Sequence, residues 1–233
     1  MRLPESIRAV TFDVGGTLVE PWPSVGHIYA EEAAKFGMAG LQPEALNRQF
    51  ASVWKSRSDF DYSQAAWREL VNETFASLSP EPPGQHCFDA IYKRFARAPA
   101  WRVFEDVLPT LEALQVLGFK LGIISNWDER LHPLLGELGL CDRFDAIVVS
   151  HDTGHAKPAP EIFHRASAQL GVAADFILHV GDNATEDVVG ARGAGMQAVL
   201  LDRKLARCNE GTVASLAELP VALAKAPPGT RPD

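Results

Sequence analysis

Little in this sequence clusters. Its 22 Lys and Arg residues are outnumbered by 30 Asp and Glu, for a formal charge of -8, and the basic residues form no patch or run. Nucleic acids and anionic membranes reward clustered Lys and Arg at their phosphates, so neither is expected as a partner. Only three cysteines occur, Cys87, Cys141 and Cys208, far apart in the chain. That spacing excludes a disulfide scaffold and a paired-cysteine zinc site, and it suits a reducing compartment. No apolar run approaches the roughly 20 residues that span a bilayer. The stretch Met1-Arg2-Leu3-Pro4-Glu5-Ser6 lacks the apolar core of a secretory signal. A soluble, cytoplasmic protein is the expectation. Internal repeats and low-complexity segments are also missing.

What is present is ordinary globular composition, 46% hydrophobic and 22% charged over 233 residues, enough for one well-buried core and a modest second domain. Short apolar runs of strand type alternate with helical patterns: Ile7 to Phe12, Leu121 to Ser125, Ala146 to Ser150, Ile177 to Gly181 and Ala198 to Leu201. Such alternation predicts an α/β fold, a Rossmann-like parallel sheet with helices on both faces. Between the first run and the others, residues 21–101 follow a helical period, with breaks at Gly37 to Pro43 and at Pro80-Glu81-Pro82-Pro83-Gly84. Tyr29, Ala33 and Phe36 share one face of such a helix. The expected division is an α/β core from 1–20 and 102–225, an inserted helical cap from 21–101, and a disordered tail from 226–233. Thirteen of the twenty aromatic residues fall between Trp22 and Trp101. They suit either a ring-lined enclosure for a substrate or the filling of a small helical core.

Four strand ends carry polar residues. Asp13 follows the first run and precedes Val14-Gly15-Gly16-Thr17-Leu18, where glycines allow backbone to approach a ligand and Thr17 can brace the turn. Ser125-Asn126 closes the second, offering a hydroxyl and backbone N–H groups to an anion; Asp128 is the alternative, as a helix cap before Leu131. Lys157 precedes Pro158 and Pro160, just before a helix start where a cation is out of place unless an anion is near. Gly181-Asp182 and Asp187 supply carboxylates, the hard oxygen ligands that Mg²⁺ prefers, although Glu186 and Asp187 would also complement a helix dipole. His151 and His155 are four apart, but Gly154 and the prolines put them in a loop and no role is assigned to them.

Taken in order, these segments resemble the four motifs of the haloacid dehalogenase superfamily: Asp13-Val14-Gly15-Gly16-Thr17-Leu18, Ile124-Ser125-Asn126, Lys157-Pro158, and Gly181-Asp182 through Asp187. More narrowly, Ser125-Asn126-Trp127-Asp128-Glu129-Arg130-Leu131, Lys157 to Phe163 and His179 to Asn183 are similar to the "haloacid dehalogenase-like hydrolase domain-containing protein 3" group. The resemblance implies a Mg²⁺-dependent hydrolase of small phosphorylated substrates in which Asp13 is the nucleophile. Asp13 and Lys157 would be catalytic. Gly16, Ser125, Asn126 and Lys157 would bind the phosphoryl group, and Asp13, the Gly15 carbonyl, Asp182 and Asp187 would serve the metal. One departure stands out. Gly15 occupies the place where phosphatases of the superfamily carry a proton-transferring aspartate, which implies low or restricted activity. Three alternatives follow from the same motifs: a binding module with vestigial catalysis, a 2-haloacid dehalogenase, and a phosphonoacetaldehyde hydrolase with Lys35 or Lys55 as its cap lysine.

Overall fold

The protein is described from a computed structural model covering residues 6–57, 60–205 and 211–224. The expected tail, 226–233, and Cys208 lie outside the described residues. The strands are β1 (Ala9–Phe12), β2 (Val19–Pro21), β3 (Trp101–Val103), β4 (Lys120–Ser125), β5 (Ala146–Val149), β6 (Ile177–Gly181), β7 (Gln197–Leu201) and β8 (Thr212–Val213). The helices are α1 (Val25–Lys35), α2 (Pro43–Lys55), α3 (Gln64–Ala76), α4 (Gln85–Arg94), α5 (Val107–Val116), α6 (Leu131–Glu137), α7 (Ser150–Thr153), α8 (Pro160–Leu170), α9 (Gly190–Gly193) and α10 (Glu218–Ala224). A π-helical turn spans Ala184–Val189. The chain divides into two compact units, one comprising residues up to Val19, 103–127 and 139 onward, the other 20–102 and 128–138.

The first unit is built on six parallel strands in the order β5-β4-β1-β6-β7-β8. Every residue of β1 and β6 is buried, as strands covered on both faces require. One face carries Ala9, Ile124, Val148 and Ile177, packed with Ile162, Phe163, Ala166 and Leu170 of α8. Full burial of a side chain such as Phe163 stabilises by roughly 2–3 kcal/mol. Val10, Phe12, Leu121 and Ile123 alternate with these and are buried on the opposite face. Counted within the sheet alone, the order is the doubly wound one, its direction reversing beside β1. Ligands of open α/β sheets bind at that reversal, outside the carboxyl ends of the strands.

The second unit is helical. Ser24 caps α1 and Ser63 caps α3 through their side chains, and Pro43 opens α2. Tyr29, Leu46, Val71, Phe75, Phe88 and Ile91 form its core, with the Tyr29 and Phe75 rings stacked at 5.7 Å. Gly26 lets α1 meet α2, since a Cβ there would stand 2.0 Å from the Pro43 carbonyl oxygen. Two sequence expectations need correction. Phe36 lies past the end of α1 and is 46% exposed, so it does not join Tyr29 and Ala33 in the core. Residues 128–138 group with the helices instead of the α/β unit. The cause is a polar knot: Arg130 binds Asp128 through Nε at 2.7 Å and donates Nη1 to the Tyr92 carbonyl at 3.0 Å, while Trp67 Nε1 donates to Asp128 at 2.8 Å. β2 and β3, which the sequence reading did not anticipate, pair as a separate ribbon of two three-residue strands.

Candidate active site

Phe12 at the end of β1 pairs with Ile123 of β4 on one side and Val180 of β6 on the other. The residues that end or follow these strands, Asp13, Ser125 and Asp182, are thereby delivered to one crevice of the α/β unit. Ser125 Oγ donates to Asp13 Oδ1 at 3.0 Å. Lys157 Nζ donates to the same oxygen at 2.7 Å and to Asp187 Oδ1 at 2.6 Å. The lysine is only 4% exposed, so it is not a solvated surface residue. Burial opposes its charge, but Asp13 and Asp187 outweigh that and hold the ammonium above the ordinary lysine range.

Asp187 occupies the opposite position. Burial would neutralise it, yet Lys157 and His179 hold its carboxyl well below the usual range. Its Oδ2 accepts from the Asn183 N–H at 2.9 Å, and His179 Nε2 lies 3.1 Å from Oδ1. Asp13 is pushed up, because burial and the neighbouring Asp187 together exceed the help of Lys157. Asp182 reaches solvent with part of its surface, but surrounding protein and the carboxylates of Asp13 and Asp187 push it up to about 7.

Two glycines make this crowding possible. A Cβ on Gly16, which has φ +77°, would stand 2.4 Å from Asp182 Oδ2, and one on Gly181 would stand 2.1 Å from Asp187 Cγ. Asn126 serves the loop more than the crevice: Lys157 N–H donates to its Oδ1 at 2.6 Å, and its Nδ2 donates to the Lys157 carbonyl at 2.9 Å and to Glu186 at 3.1 Å. Thr17 does not brace the turn by its side chain, since the buried Oγ1 has no hydrogen-bond partner among the described residues. Backbone bonds hold the turn instead, Leu18 N–H to Val14 O and Gly16 N–H to Val19 O, both at 2.8 Å.

Sequence reasoning missed His179 and Trp127. His179 is fully buried in β6, opposite Thr11 in register, and its Nδ1 lies 3.0 Å from the Thr11 hydroxyl. A polar residue at matched positions of two buried strands was the available signal. Trp127 borders Gly15: a Cβ built there would lie 3.4 Å from the indole Cζ3. Glu20, the next acid after that position in the sequence, is engaged by Arg102 Nε at 2.9 Å. Of the histidines read as lying in a loop, His151 sits in the single turn of α7 and His155 follows Gly154.

Asp13, Asp182 and Asp187 bring ligand oxygens within 4.8 Å of one another. An all-oxygen set with excess negative charge fits Mg²⁺, which takes one or two carboxylates and completes its shell with water and substrate. Asp187 already accepts from Lys157 and Asn183 N–H, so it suits orienting the ligands better than binding the ion directly. The Asp182 shift gives a signed expectation. A carboxyl raised from 3.8 to about 7 by folding binds its proton more tightly in the folded state, so Mg²⁺-free protein loses stability as pH rises through that window. Saturating Mg²⁺ should raise the melting temperature more at about pH 8 than at about pH 5. Equal increments at the two pH values, read by scanning calorimetry, would refute this.

The sequence profile described as a haloacid dehalogenase-like hydrolase matches residues 7–195. The chain belongs to this family. Haloacid dehalogenase-like hydrolase domain-containing protein 3 of Danio rerio is 35% identical over 215 residues, covering 88% of each chain. A glyceraldehyde 3-phosphate phosphatase of Methanopyrus kandleri is 31% identical over 214 residues, covering 84% of each. Among solved structures, a 2-haloacid dehalogenase of Pseudomonas syringae pv. Tomato DC3000 superposes with a TM-score of 0.60 at 27% identity, over 94% of this chain and 99% of that one. Of these similar proteins, one is named a phosphatase and another a dehalogenase. No described helix is long and apolar enough to cross a membrane.

Proposed function

We propose that this haloacid dehalogenase-like hydrolase is a Mg²⁺-dependent phosphatase of restricted activity, acting on a small phosphate ester in the cytoplasm, with the helical unit as its cap. The observation that carries the reading is Lys157 bridging Asp13 and Asp187 beside Asp182. Asp13 is aimed by Ser125 and Lys157 and attacks phosphorus; the ester bond breaks and the leaving oxygen keeps the electron pair. Water then attacks phosphorus of the aspartyl-phosphate and frees Asp13. Lys157 and the Ser125 hydroxyl stay close to the oxygens on which charge collects. Asp13, Asp182 and the Gly15 carbonyl would hold Mg²⁺, which offsets the repulsion between a carboxylate and a phosphoryl group.

Gly15 contributes no proton donor, a function worth roughly 10² to 10⁴ in rate. That favours a second reading, a metal- or phosphate-binding protein without turnover. The dehalogenase reading is weaker, because carbon chemistry gives Asp182 nothing to do. A Schiff-base route is weaker still: Lys35 is held by Glu32 at 2.8 Å and Lys55 is exposed. The deciding experiment is hydrolysis of p-nitrophenyl phosphate with and without Mg²⁺, with acid quenching to capture the phosphorylated peptide. Mg²⁺-dependent turnover with the phosphoryl group on Asp13 is expected. Metal binding without turnover would favour the second reading, and halide release from a 2-haloacid the third.

A further inference from the structure

The site lacks an acid at residue 15, and an aromatic ring stands beside that position. Trp127 comes two residues after Ser125, and its backbone is pinned: its N–H donates to Ser150 Oγ at 3.0 Å, and its carbonyl accepts from the Ser150 hydroxyl at 2.9 Å and from His151 N–H at 3.2 Å. The residue is half-buried. A Cβ on Gly15 would already be in van der Waals contact with Cζ3, so a carboxylate carried beyond it would have to turn off the ring. Gly15 lies two residues past Asp13, and its neighbour Gly16 abuts Asp182. The indole therefore forms a wall beside Gly15, next to the turn that carries Asp13 and meets Asp182.

We infer that Trp127 is a specificity-determining residue that receives a planar leaving group, making aryl phosphates the substrate class of this site. The inference rests on the phosphatase reading above. Two independent features converge on it. Without a proton donor at residue 15, the favoured ester is one whose oxygen departs as an anion, and a phenol, with a pKa of about 10, releases its oxygen far more readily than an aliphatic alcohol. A ring with its centroid about 4.5–7 Å away also gains by offset or edge-on packing against an indole. In the first step a bond forms between Asp13 and phosphorus, and the bond from phosphorus to the aryl oxygen breaks. The phenolate leaves with the electron pair and takes a proton from solvent. In the second step water attacks phosphorus, yielding inorganic phosphate and Asp13, and its spare proton goes to solvent.

The test separates recognition from turnover. Phenylphosphonate and propylphosphonate, which cannot be hydrolysed, are titrated by calorimetry with Mg²⁺ into wild type, Trp127→Ala, Trp127→Leu and Trp127→Phe, each checked for folding by urea denaturation. Wild type should prefer the phenyl ligand by about tenfold, as should Trp127→Phe within about threefold. Trp127→Ala and Trp127→Leu should lose the preference through weaker phenyl binding alone; the Leu variant keeps apolar bulk should the Ala variant fail to fold. An unchanged preference in both, or none in wild type, overturns the inference. Gly15→Asp combined with Trp127→Ala should hydrolyse glycerol 2-phosphate at least about tenfold faster than Gly15→Asp alone, because the new acid then has room; equal rates count against the wall. Selective phenyl binding through Trp127 with no turnover of p-nitrophenyl phosphate sinks the phosphatase reading and keeps the recognition. Turnover indifferent to Trp127 does the reverse.

Discussion

Asp13→Asn protein is expected to lose nearly all hydrolysis of p-nitrophenyl phosphate while melting at the same temperature as wild type or higher. An amide is no nucleophile, so the loss should be on the order of 10⁴- to 10⁶-fold, the scale seen when a hydrolase loses its attacking group. Stability should move the other way. Asp13 is buried and its pKa is raised, which means its ionised form is less favourable in the folded chain than in the unfolded one. Above the unfolded value that difference costs stability, and a neutral isostere removes the cost. Lys157 keeps Asp187 at 2.6 Å, so the lysine is not orphaned. Paired rate and calorimetry measurements decide the matter. A residual Mg²⁺-dependent rate near one-tenth of wild type would exclude Asp13 as nucleophile, and a large drop in melting temperature would give it a structural part.

Lys157→Met should lose both activity and stability. Its ammonium is the one cation hydrogen-bonded to Asp13 and Asp187 among the described residues. Removing one partner of a buried ion pair typically costs about 3–5 kcal/mol, because the remaining charge stays buried. Two carboxylates are left here, so the loss should reach that range, a large share of the 5–15 kcal/mol that typically holds a domain together. The deficit should shrink at low pH, where the carboxyls take up protons. Urea denaturation at about pH 5 and about pH 8 measures it. An unchanged midpoint at the higher pH would mean that the pairing contributes nothing net.

Much of the α/β unit was legible because a strand buried on both faces writes itself as a short continuous apolar run. β4, β5, β6 and β7 fall within a residue of the runs read from the sequence, and β1 begins two residues later than its run. Asp13, Ser125, Lys157, Asp182 and Asp187 do converge, since each follows or ends a strand or its loop and the sheet order brings those ends together. What escaped were properties of pairs distant in sequence. His179 reads as an interruption of an apolar strand until its register with Thr11 is known. Trp127 reads as one more aromatic until it is set against Gly15. The attachment of residues 128–138 to the helical unit depends on Arg130 finding Tyr92 and Asp128, which no local pattern announces. β2 and β3 are three residues each, too short for a period to show.

The central place of β1 also has a consequence in time. Val10 pairs with Leu121 on one side and Leu178 on the other, so the first strand of the sheet cannot complete its pairing until residues far down the chain have been made. At roughly 5–20 residues per second, the interval during translation is on the order of 10–30 s. Until β4 is made, Ala9, Val10 and Phe12, all fully buried in the finished protein, have no sheet neighbour, and until β6 follows they have one on a single side. Non-local pairing of this kind is slow and exposes apolar surface to wrong partners. The segment leading into Asp13 is thus among the earliest made and the latest secured, and a nascent chain stalled before β6 would display it to chaperones.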